Sequence, residues 1–287
     1  MKAQIIKTTN GKYYADGHGG QVYLPQGDIS FADEVVAYHK GNPAPIKSAC
    51  DSSQALGAPN FNGQPVGFVS LGCGGELILK FTDNALTDIP GPDLYVFEVG
   101  KFIEATEVYV SKDDKTWIDV GRIEGGKAEM DIGDYVNPGD FFYYLKLKDL
   151  KTQCGGNWPG ADIDAVAAIG CAEKISLNTK LLFNINSAEL TPFAIQQLDS
   201  VANKIDLYKK AAVTIQGFTD STGTKLLNQT LSENRAKAVK DYLRNKVKNR
   251  KTKFVSRGYA DLFPVADNKT SAGQEKNRRV EVLILPD

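Results

Sequence analysis

Asp220 and Arg235 are two charged residues whose surroundings suit the binding of a charged ligand. Asp220 closely follows the apolar segment 212–217 (AVTIQG), and α/β sheets tend to place ligands at the carboxyl ends of their strands. Arg235 lies four residues after Leu231 and four before Val239, on or beside the apolar stripe of a predicted helix. A buried arginine needs an anion. The sequence leaves two alternatives: a closed Asp220–Arg235 ion pair, or an open pair that offers a carboxylate and a guanidinium to an amino-acid head group.

Strands that alternate with long amphipathic helices surround these two residues. Thr191-Pro192 is typical of a helix start, since a hydroxyl can cap the helix and proline fits its first position. A second helix is predicted over 224–247, and strands are predicted over 212–217, 253–257 and 280–285. The residues predicted to face the sheet are Ile195, Leu198, Val201, Ala202 and Ile205 in the first helix and Leu227, Leu231, Val239, Tyr242 and Leu243 in the second. This order predicts one sheet covered by helices.

Three segments of this region carry a family resemblance. The segment 217–243 (GFTDSTGTKLLNQTLSENRAKAVKDYL) resembles the signature of the OmpA-like family, a TD..G loop followed by N..LS..RA and an apolar helix. The segments 181–192 and 257–285 are similar to the family's first strand and turn and to its closing loop and last strand. The resemblance implies an α+β domain of the order β-α-β-α-β-β over residues 175–287.

The resemblance also implies a ligand, because OmpA-like domains bind peptidoglycan non-covalently through the diaminopimelate of its stem peptide. The family's gripping Asp and Arg correspond to Asp220 and Arg235. The residues that the resemblance places in or around the pocket are Asp220, Arg235, Thr222, Asn228, Asn186 and Arg278. Two positions depart from the family pattern: Phe218 replaces a frequent His, which should change packing only, and Asn184 replaces a frequent Asp, which removes a negative charge near the pocket.

Residues 1–172 predict a separate all-β domain. Short segments rich in aromatic and β-branched residues, separated by Gly, Pro, Asp and Asn, indicate several strands at the spacing of a sandwich or barrel. The segments 70–81, 91–99, 108–121 and 160–170 distantly resemble galactose-binding or discoidin-like modules of bacterial surface proteins. We therefore expect a jelly-roll-like β-sandwich, joined to the second domain by a short linker around 172–174.

The charges and cysteines are unevenly distributed between the two halves. Residues 1–174 carry 15 basic and 24 acidic side chains, whereas residues 175–287 carry 19 and 11. This asymmetry suggests two modules with different partners, although solvated surfaces would look the same. All four cysteines lie in the first half, which favours disulfides and an oxidising compartment over buried thiols. Short loops favour Cys50–Cys73 with Cys154–Cys171 among the three pairings.

Acidic residues in the first half raise the question of a cation. Asp88, Asp93, Asp162 and Asp164 follow or flank predicted strands, and clustered aspartates suit Ca²⁺, which takes six to eight oxygen ligands. The alternative is that they are ordinary turn residues. No other cofactor is predicted.

These observations predict an exported binding protein without catalysis, held in the periplasm at the outer membrane and cell wall. No signal peptide is visible, and we expect any leader or lipid anchor to be absent from this sequence. The N-terminal sandwich would bind a glycan or a protein. Nucleic acid is not expected as a partner, because the basic run 244–253 lacks interleaved aromatics. The alternatives are a wall-targeted enzyme acting through the sandwich and an OmpA-type membrane barrel over residues 1–170.

Overall fold

The computed structural model describes residues 10–63, 67–100, 103–124, 128–184 and 187–286. The chain divides into two compact units, Met1–Cys171 and Ala172–Asp287. The segment expected to be a linker, 172–174, instead belongs to a strand that runs from Cys171 to Asn178. No described helix is long and apolar enough to cross a membrane.

The first unit is mostly β. Its strands are β1 (Lys12–Ala15), β2 (Gln21–Leu24), β3 (Glu34–His39), β4 (Val69–Ser70), β5 (Glu76–Lys80), β6 (Asn84–Leu86), β7 (Leu94–Glu98), β8 (Thr106–Ser111), β9 (Trp117–Ile123), β10 (Glu129–Met130), β11 (Tyr144–Asp149) and β12 (Asp162–Ala168). Its three short 3₁₀ helices are Gly27–Ser30, Lys47–Ala49 and Ser52–Ala55. One sheet has the strand order β3-β5-β11-β8-β9, another has the order β10-β7-β12-β4, and β1 pairs with β2.

The two larger sheets of this unit share a hydrophobic core. Leu77 and Leu79 of β5 belong to the same buried cluster as Val96 of β7 and Val166 of β12. All neighbouring strands in both sheets are antiparallel. Leu77, Leu79 and Phe81 alternate along the chain at β5, and all three are fully buried. The unit therefore buries one face of each sheet against the other.

The disulfide of the first unit joins Cys73 to Cys154, so the predicted pairs Cys50–Cys73 and Cys154–Cys171 are wrong. The reason lies in the sheet order. β4 pairs with β12, and β5 pairs with β11, so the loop from β4 to β5 lies beside the loop from β11 to β12. Cys73 is in the first loop and Cys154 in the second, 81 residues apart in sequence. Cys50 and Cys171 are thiols.

The second unit is an α+β fold. Its elements are β13 (Cys171–Asn178), α1 (Thr179–Leu182), α2 (Pro192–Ile205), β14 (Ala211–Gly217), α3 (Lys225–Lys246), β15 (Lys253–Gly258), α4 (Ser271–Asn277) and β16 (Arg279–Pro286). The strands β15, β14, β16 and β13 hydrogen-bond in that order. β14 is parallel to β15, and β16 is antiparallel to both β14 and β13.

The start of α2 is confirmed, but the expected first strand is not. Thr191 caps α2 by accepting a hydrogen bond from Ala194 N at 3.0 Å, and Pro192 occupies the first turn. The family's first strand and turn were assigned to 181–192, whereas the first strand of this unit is β13, which already ends at Asn178. Leu182 belongs to α1, and Phe183 forms only an isolated bridge to Leu190. The described residues of this segment therefore form no continuous strand.

The buried faces of both long helices differ in part from the predicted ones. In α2, Ile195 is 42% exposed and Ala194 is buried in its place. In α3, Leu227 is 51% exposed, while Leu231 and Tyr242 are only half-buried. The first half of α3 buries polar side chains instead, namely Asn228, Ser232 and Arg235. The arginine singled out from the sequence thus faces the interior.

Two glycines allow α3 to lie close to the sheet. A Cβ atom at Gly217 would come within 2.2 Å of the Ser232 carbonyl oxygen, and one at Gly258 within 2.4 Å of Glu233 N. Both glycines end their strands, β14 and β15. Close packing at these points brings the middle of α3 next to the carboxyl ends of the two strands, where Asp220 follows.

Candidate functional site

Asp220 lies in the loop between β14 and α3 and is 3% exposed. Its Oδ1 atom accepts hydrogen bonds from the backbone N–H of Thr222, at 2.8 Å, and from the Thr222 hydroxyl. Its Oδ2 atom accepts from Arg278 Nη1, which forms an ion pair with it. Asn228 Nδ2 donates to the Asp220 carbonyl at 3.2 Å. The loop therefore holds the carboxylate in one fixed orientation.

Arg235 of α3 is 5% exposed. Its Nε atom donates to the Ser187 carbonyl at 3.0 Å, and its guanidinium carbon lies 5.3 Å from the centre of the Phe183 ring. Within the described residues, Arg235 forms no ion pair: the carboxylate of Asp220 is paired with Arg278. The closed Asp220–Arg235 pair considered from the sequence is therefore not observed.

The charges around the site influence one another. Burial would raise the pKa of Asp220, but the hydrogen bonds from Thr222 and the guanidinium of Arg278 hold it below its usual range. Burial and the positive charge of Arg278 lower the pKa of Arg235, and Asp220 opposes this effect. Asp220 is therefore a carboxylate at neutral pH, while Arg235 is a cation whose burial is only partly compensated.

Five of the six predicted site residues lie in the described structure. Asp220, Thr222, Asn228 and Arg278 are joined by direct hydrogen bonds, and the charge of Arg235 interacts with those of Asp220 and Arg278. Asn186 lies outside the described residues. Thr222 is exposed, and its hydroxyl points back to Asp220.

Several residues that support the site did not stand out in the sequence. The Ser187 carbonyl and the Phe183 ring contact Arg235. Asn268 accepts hydrogen bonds from Ser221 N at 3.3 Å and from Asn277 Nδ2 at 2.9 Å, which ties the loop before α4 to the loop of Asp220. Backbone carbonyls leave no trace in sequence. Both asparagines, however, lie in the segments ADNKT and NRR, which were available as a signal.

The two departures from the family pattern occupy different environments. Phe218 is 1% exposed, stacks on Tyr259 with ring centres 5.5 Å apart, and has the Arg279 guanidinium 3.8 Å from its ring centre. Arg279 in turn pairs with Glu281 at 2.7 Å. The expectation that Phe218 affects packing therefore agrees with its contacts. Asn184 is exposed, and its carbonyl accepts from Ser187 N at 3.1 Å.

A known protein family resembles this region. The model of the OmpA family matches residues 182–278. These residues form an OmpA-like domain. The chain is 32% identical over 146 residues to the probable lipoprotein YiaD of Escherichia coli, covering 50% of this chain and 64% of that protein. It is 38% identical over 114 residues to the peptidoglycan-binding protein ArfA of Mycobacterium tuberculosis, covering 36% of this chain and 32% of that protein.

Further relatives include proteins of the outer membrane. Outer membrane porin F of Pseudomonas aeruginosa is 32% identical over 136 residues, 47% of this chain and 39% of the porin. Among solved structures, the cell wall anchor of the type VI secretion system (T6SS) of the same species is 26% identical, with a TM-score of 0.37, covering 40% of this chain and 82% of that one. This chain spans less than two thirds of the length of the curated relatives named here.

In the first unit, the structure brings together three carboxylates, from Asp88, Asp93 and Asp131, with ligand atoms within 4.8 Å of one another. Asp162 and Asp164 do not belong to this group, and Asp164 accepts from the backbone N–H groups of Asn60 and Phe61. The set of four aspartates considered for Ca²⁺ is therefore not one site. Burial, and to a smaller degree Asp88 and Asp131, raises the pKa of Asp93 to about 7 despite two backbone hydrogen bonds.

This trio offers the oxygen ligands that Ca²⁺ prefers. Binding of Ca²⁺ here can be measured through the thermal stability of the first unit. If the trio binds Ca²⁺, added Ca²⁺ should raise the melting temperature of the first unit in a calorimeter, since a ligand that binds only the folded state stabilises it by about 2.7 kcal/mol at one hundred times its Kd. Asp131→Asn should remove the shift. Asp119→Asn is the matched control, because both side chains accept from the N–H two residues on. A chelator-treated protein that does not respond to Ca²⁺ would leave the trio without a role in cation binding.

Proposed function

We propose that the OmpA-like domain binds peptidoglycan non-covalently and so holds the chain at the cell wall. The observation that carries this proposal is Arg235, a 5% exposed guanidinium whose described partners are a carbonyl and an aromatic ring. An incompletely compensated buried charge costs several kcal/mol. A ligand carboxylate would supply the missing anion, and guanidinium binds carboxylate through two parallel hydrogen bonds.

The diaminopimelate of the stem peptide fits both charges of the site. The free end of its side chain carries an ammonium and a carboxylate, the two groups of an amino-acid head. Arg235 would bind the carboxylate, and Asp220 would accept from the ammonium. Because Thr222 and Arg278 already hold the Asp220 carboxylate in place, little of its freedom is lost when the ligand binds. The relative ArfA, named as peptidoglycan-binding, supports peptidoglycan as the ligand.

Sedimentation with purified sacculi tests the ligand. The full chain should sediment with diaminopimelate-type sacculi, and free diaminopimelate should compete. Lysine-type sacculi should bind at least about tenfold more weakly, because lysine lacks the carboxylate that Arg235 would pair with, and a charge-assisted hydrogen bond contributes about 1.5–3 kcal/mol. Equal sedimentation with both types would contradict the assignment of diaminopimelate while leaving a role in wall binding.

For the first unit we propose the class of jelly-roll-like β-sandwiches. The support is two antiparallel sheets that share one core. Its role would be to present a second binding surface, for a glycan or a protein, while the OmpA-like domain provides attachment. The whole chain would then act in the periplasm, at the outer membrane and cell wall, as a binding protein without catalysis. The relatives named for the outer membrane support this location.

A further inference from the structure

The sheet of the OmpA-like domain has two ends, and the proposed wall site uses only one. β14 and β15 run parallel, with Ala212 paired to Lys253 at their starts and Gly217 paired to Gly258 at their ends. Asp220 lies just beyond Gly217. The loops that precede the two strands lie about 20 Å from it, since a strand rises about 3.3 Å per residue. These loops form a separate surface.

We call this surface the basic end and define it by the exposed residues Leu207, Lys209, Lys248, Arg250, Lys251 and Lys253. Within the described parts of the chain, none of the five cations forms an ion pair. Leu207 lies two residues before Lys209 and is 67% exposed. Exposed leucines are common singly, but this one shares its loops with cations that form no ion pair with any described residue. The basic end therefore combines concentrated positive charge with an apolar side chain.

Hydrogen bonds fix the two loops of the basic end against each other. Asn249 Nδ2 donates to the carbonyl oxygens of Tyr208 and Lys209, at 2.9 and 2.8 Å. The carboxylate of Asp206 accepts from the backbone N–H groups of Lys248 and Asn249, both at 3.0 Å. Tyr208, which is 5% exposed, packs in the hydrophobic core of the domain and holds its loop there. The backbones of the two loops that carry Leu207 and four of the cations are thus held together by the fold.

We propose that the basic end docks on an anionic phospholipid surface. The cations would lie near the lipid phosphates, and Leu207 would enter the headgroup region. Surface-bound proteins combine these same two contributions, apolar burial and attraction to anionic lipid. A soluble polyanion would engage the cations alone and would leave Leu207 in water, so the leucine favours a lipid surface. The domain would then contact a membrane with one end of its sheet while the other end stays accessible.

Vesicle flotation with the full chain tests this proposal. The chain should bind vesicles of phosphatidylglycerol and phosphatidylethanolamine but not vesicles of phosphatidylcholine, and salt should weaken the binding. Lys209→Gln combined with Lys251→Gln should lower the partition coefficient about 25-fold, at about fivefold per residue. Leu207→Ser should lower it about tenfold, because its side chain would no longer be buried in lipid.

Matched controls separate a local effect from a general one. Lys225→Gln combined with Lys269→Gln makes the same charge change near the Asp220 loop, and Leu226→Ser replaces a leucine that is 78% exposed. Both controls should float like the parent, and the basic-end variants should still sediment with sacculi if the wall site is as proposed. The proposal is overturned if the parent does not bind vesicles of anionic lipid, or if the basic-end variants float like the controls. Loss of binding in the lysine variant alone, with Leu207→Ser unaffected, would also overturn it in favour of a polyanion.

Discussion

Arg235→Lys should weaken binding to diaminopimelate-type sacculi by about tenfold to a hundredfold, although it keeps the positive charge. The Nε–H that donates to the Ser187 carbonyl is lost, and an ammonium cannot make the two parallel hydrogen bonds that a guanidinium makes to a carboxylate. Each charge-assisted hydrogen bond contributes about 1.5–3 kcal/mol, which corresponds to this range of affinities. Sedimentation over a series of sacculus concentrations would measure the change.

Two further variants distinguish a loss of the binding site from a loss of folding. Asp220→Asn keeps the volume of the side chain and an oxygen for the Thr222 N–H. It removes the negative charge that would pair with the ligand ammonium, so it should weaken binding to sacculi to a similar degree. Arg257→Lys makes the same chemical change at an exposed position of β15 and should bind like the parent. All three should retain the circular dichroism of the folded chain. A folded Arg235→Lys protein that sediments like Arg257→Lys would remove Arg235 from the site.

Loss of the Cys73–Cys154 disulfide should destabilise the first unit by about 2–5 kcal/mol. The bridge closes 81 residues of chain, and in the chain-entropy account a loop of this length contributes about 4.5 kcal/mol by restricting the unfolded state. The bridged loops also meet elsewhere: the Asp149 carboxylate accepts from Gly74 N at 2.7 Å and from Lys151 N at 2.9 Å. We therefore expect Cys73→Ser with Cys154→Ser to melt at a lower temperature with its loops still in place.

The matched control is Cys50→Ser. Cys50 is a thiol whose sulfur donates to the carbonyl oxygens of Pro45 and Ile46, and a serine hydroxyl can do the same. In calorimetry this variant should melt like the parent, and the transition of the OmpA-like domain should stay unchanged in both variants. Mass spectrometry of the oxidised protein should find one disulfide. If the purified protein alkylates at four cysteines, the inference of an oxidising compartment fails.

The sequence predicted local elements well and long-range contacts poorly. The start of α2 is one success: Thr191 accepts a hydrogen bond from Ala194 N, three residues further on, so this helix start is a local property of the chain. The cysteine pairing failed because it depends on which strands become neighbours. The set of four aspartates considered for Ca²⁺ failed in part for the same reason, since Asp131 is 38 positions from Asp93 in the chain and joins it only across β7 and β10.

The orientation of α3 shows a second limit of sequence patterns. Apolar periodicity placed Leu227 inside, whereas Asn228 and Ser232 are buried. Each of these polar side chains holds a loop: Asn228 donates to the Asp220 carbonyl, and the Ser232 hydroxyl accepts from Ala260 N at 3.0 Å. In α3, hydrogen bonds to the loops determine which face of the helix is buried, so a prediction from hydrophobicity alone selects the wrong face. Arg235 could be identified from the sequence because a charged residue on or beside the apolar stripe of a helix needs a partner.

The pairing of β13 with β16 decides how a wall-bound domain would respond to tension. β13 begins at the end of the sheet away from Asp220, and the first unit precedes it in the chain, whereas β16 begins beside Arg278 in the proposed wall site. A pull between the wall and the first unit would draw these antiparallel strands in opposite directions along their lengths. The six residue pairs from Glu173–Ile284 to Asn178–Arg279 would then be sheared together. Two strands loaded in this way resist force far better than two strands whose hydrogen bonds break one after another.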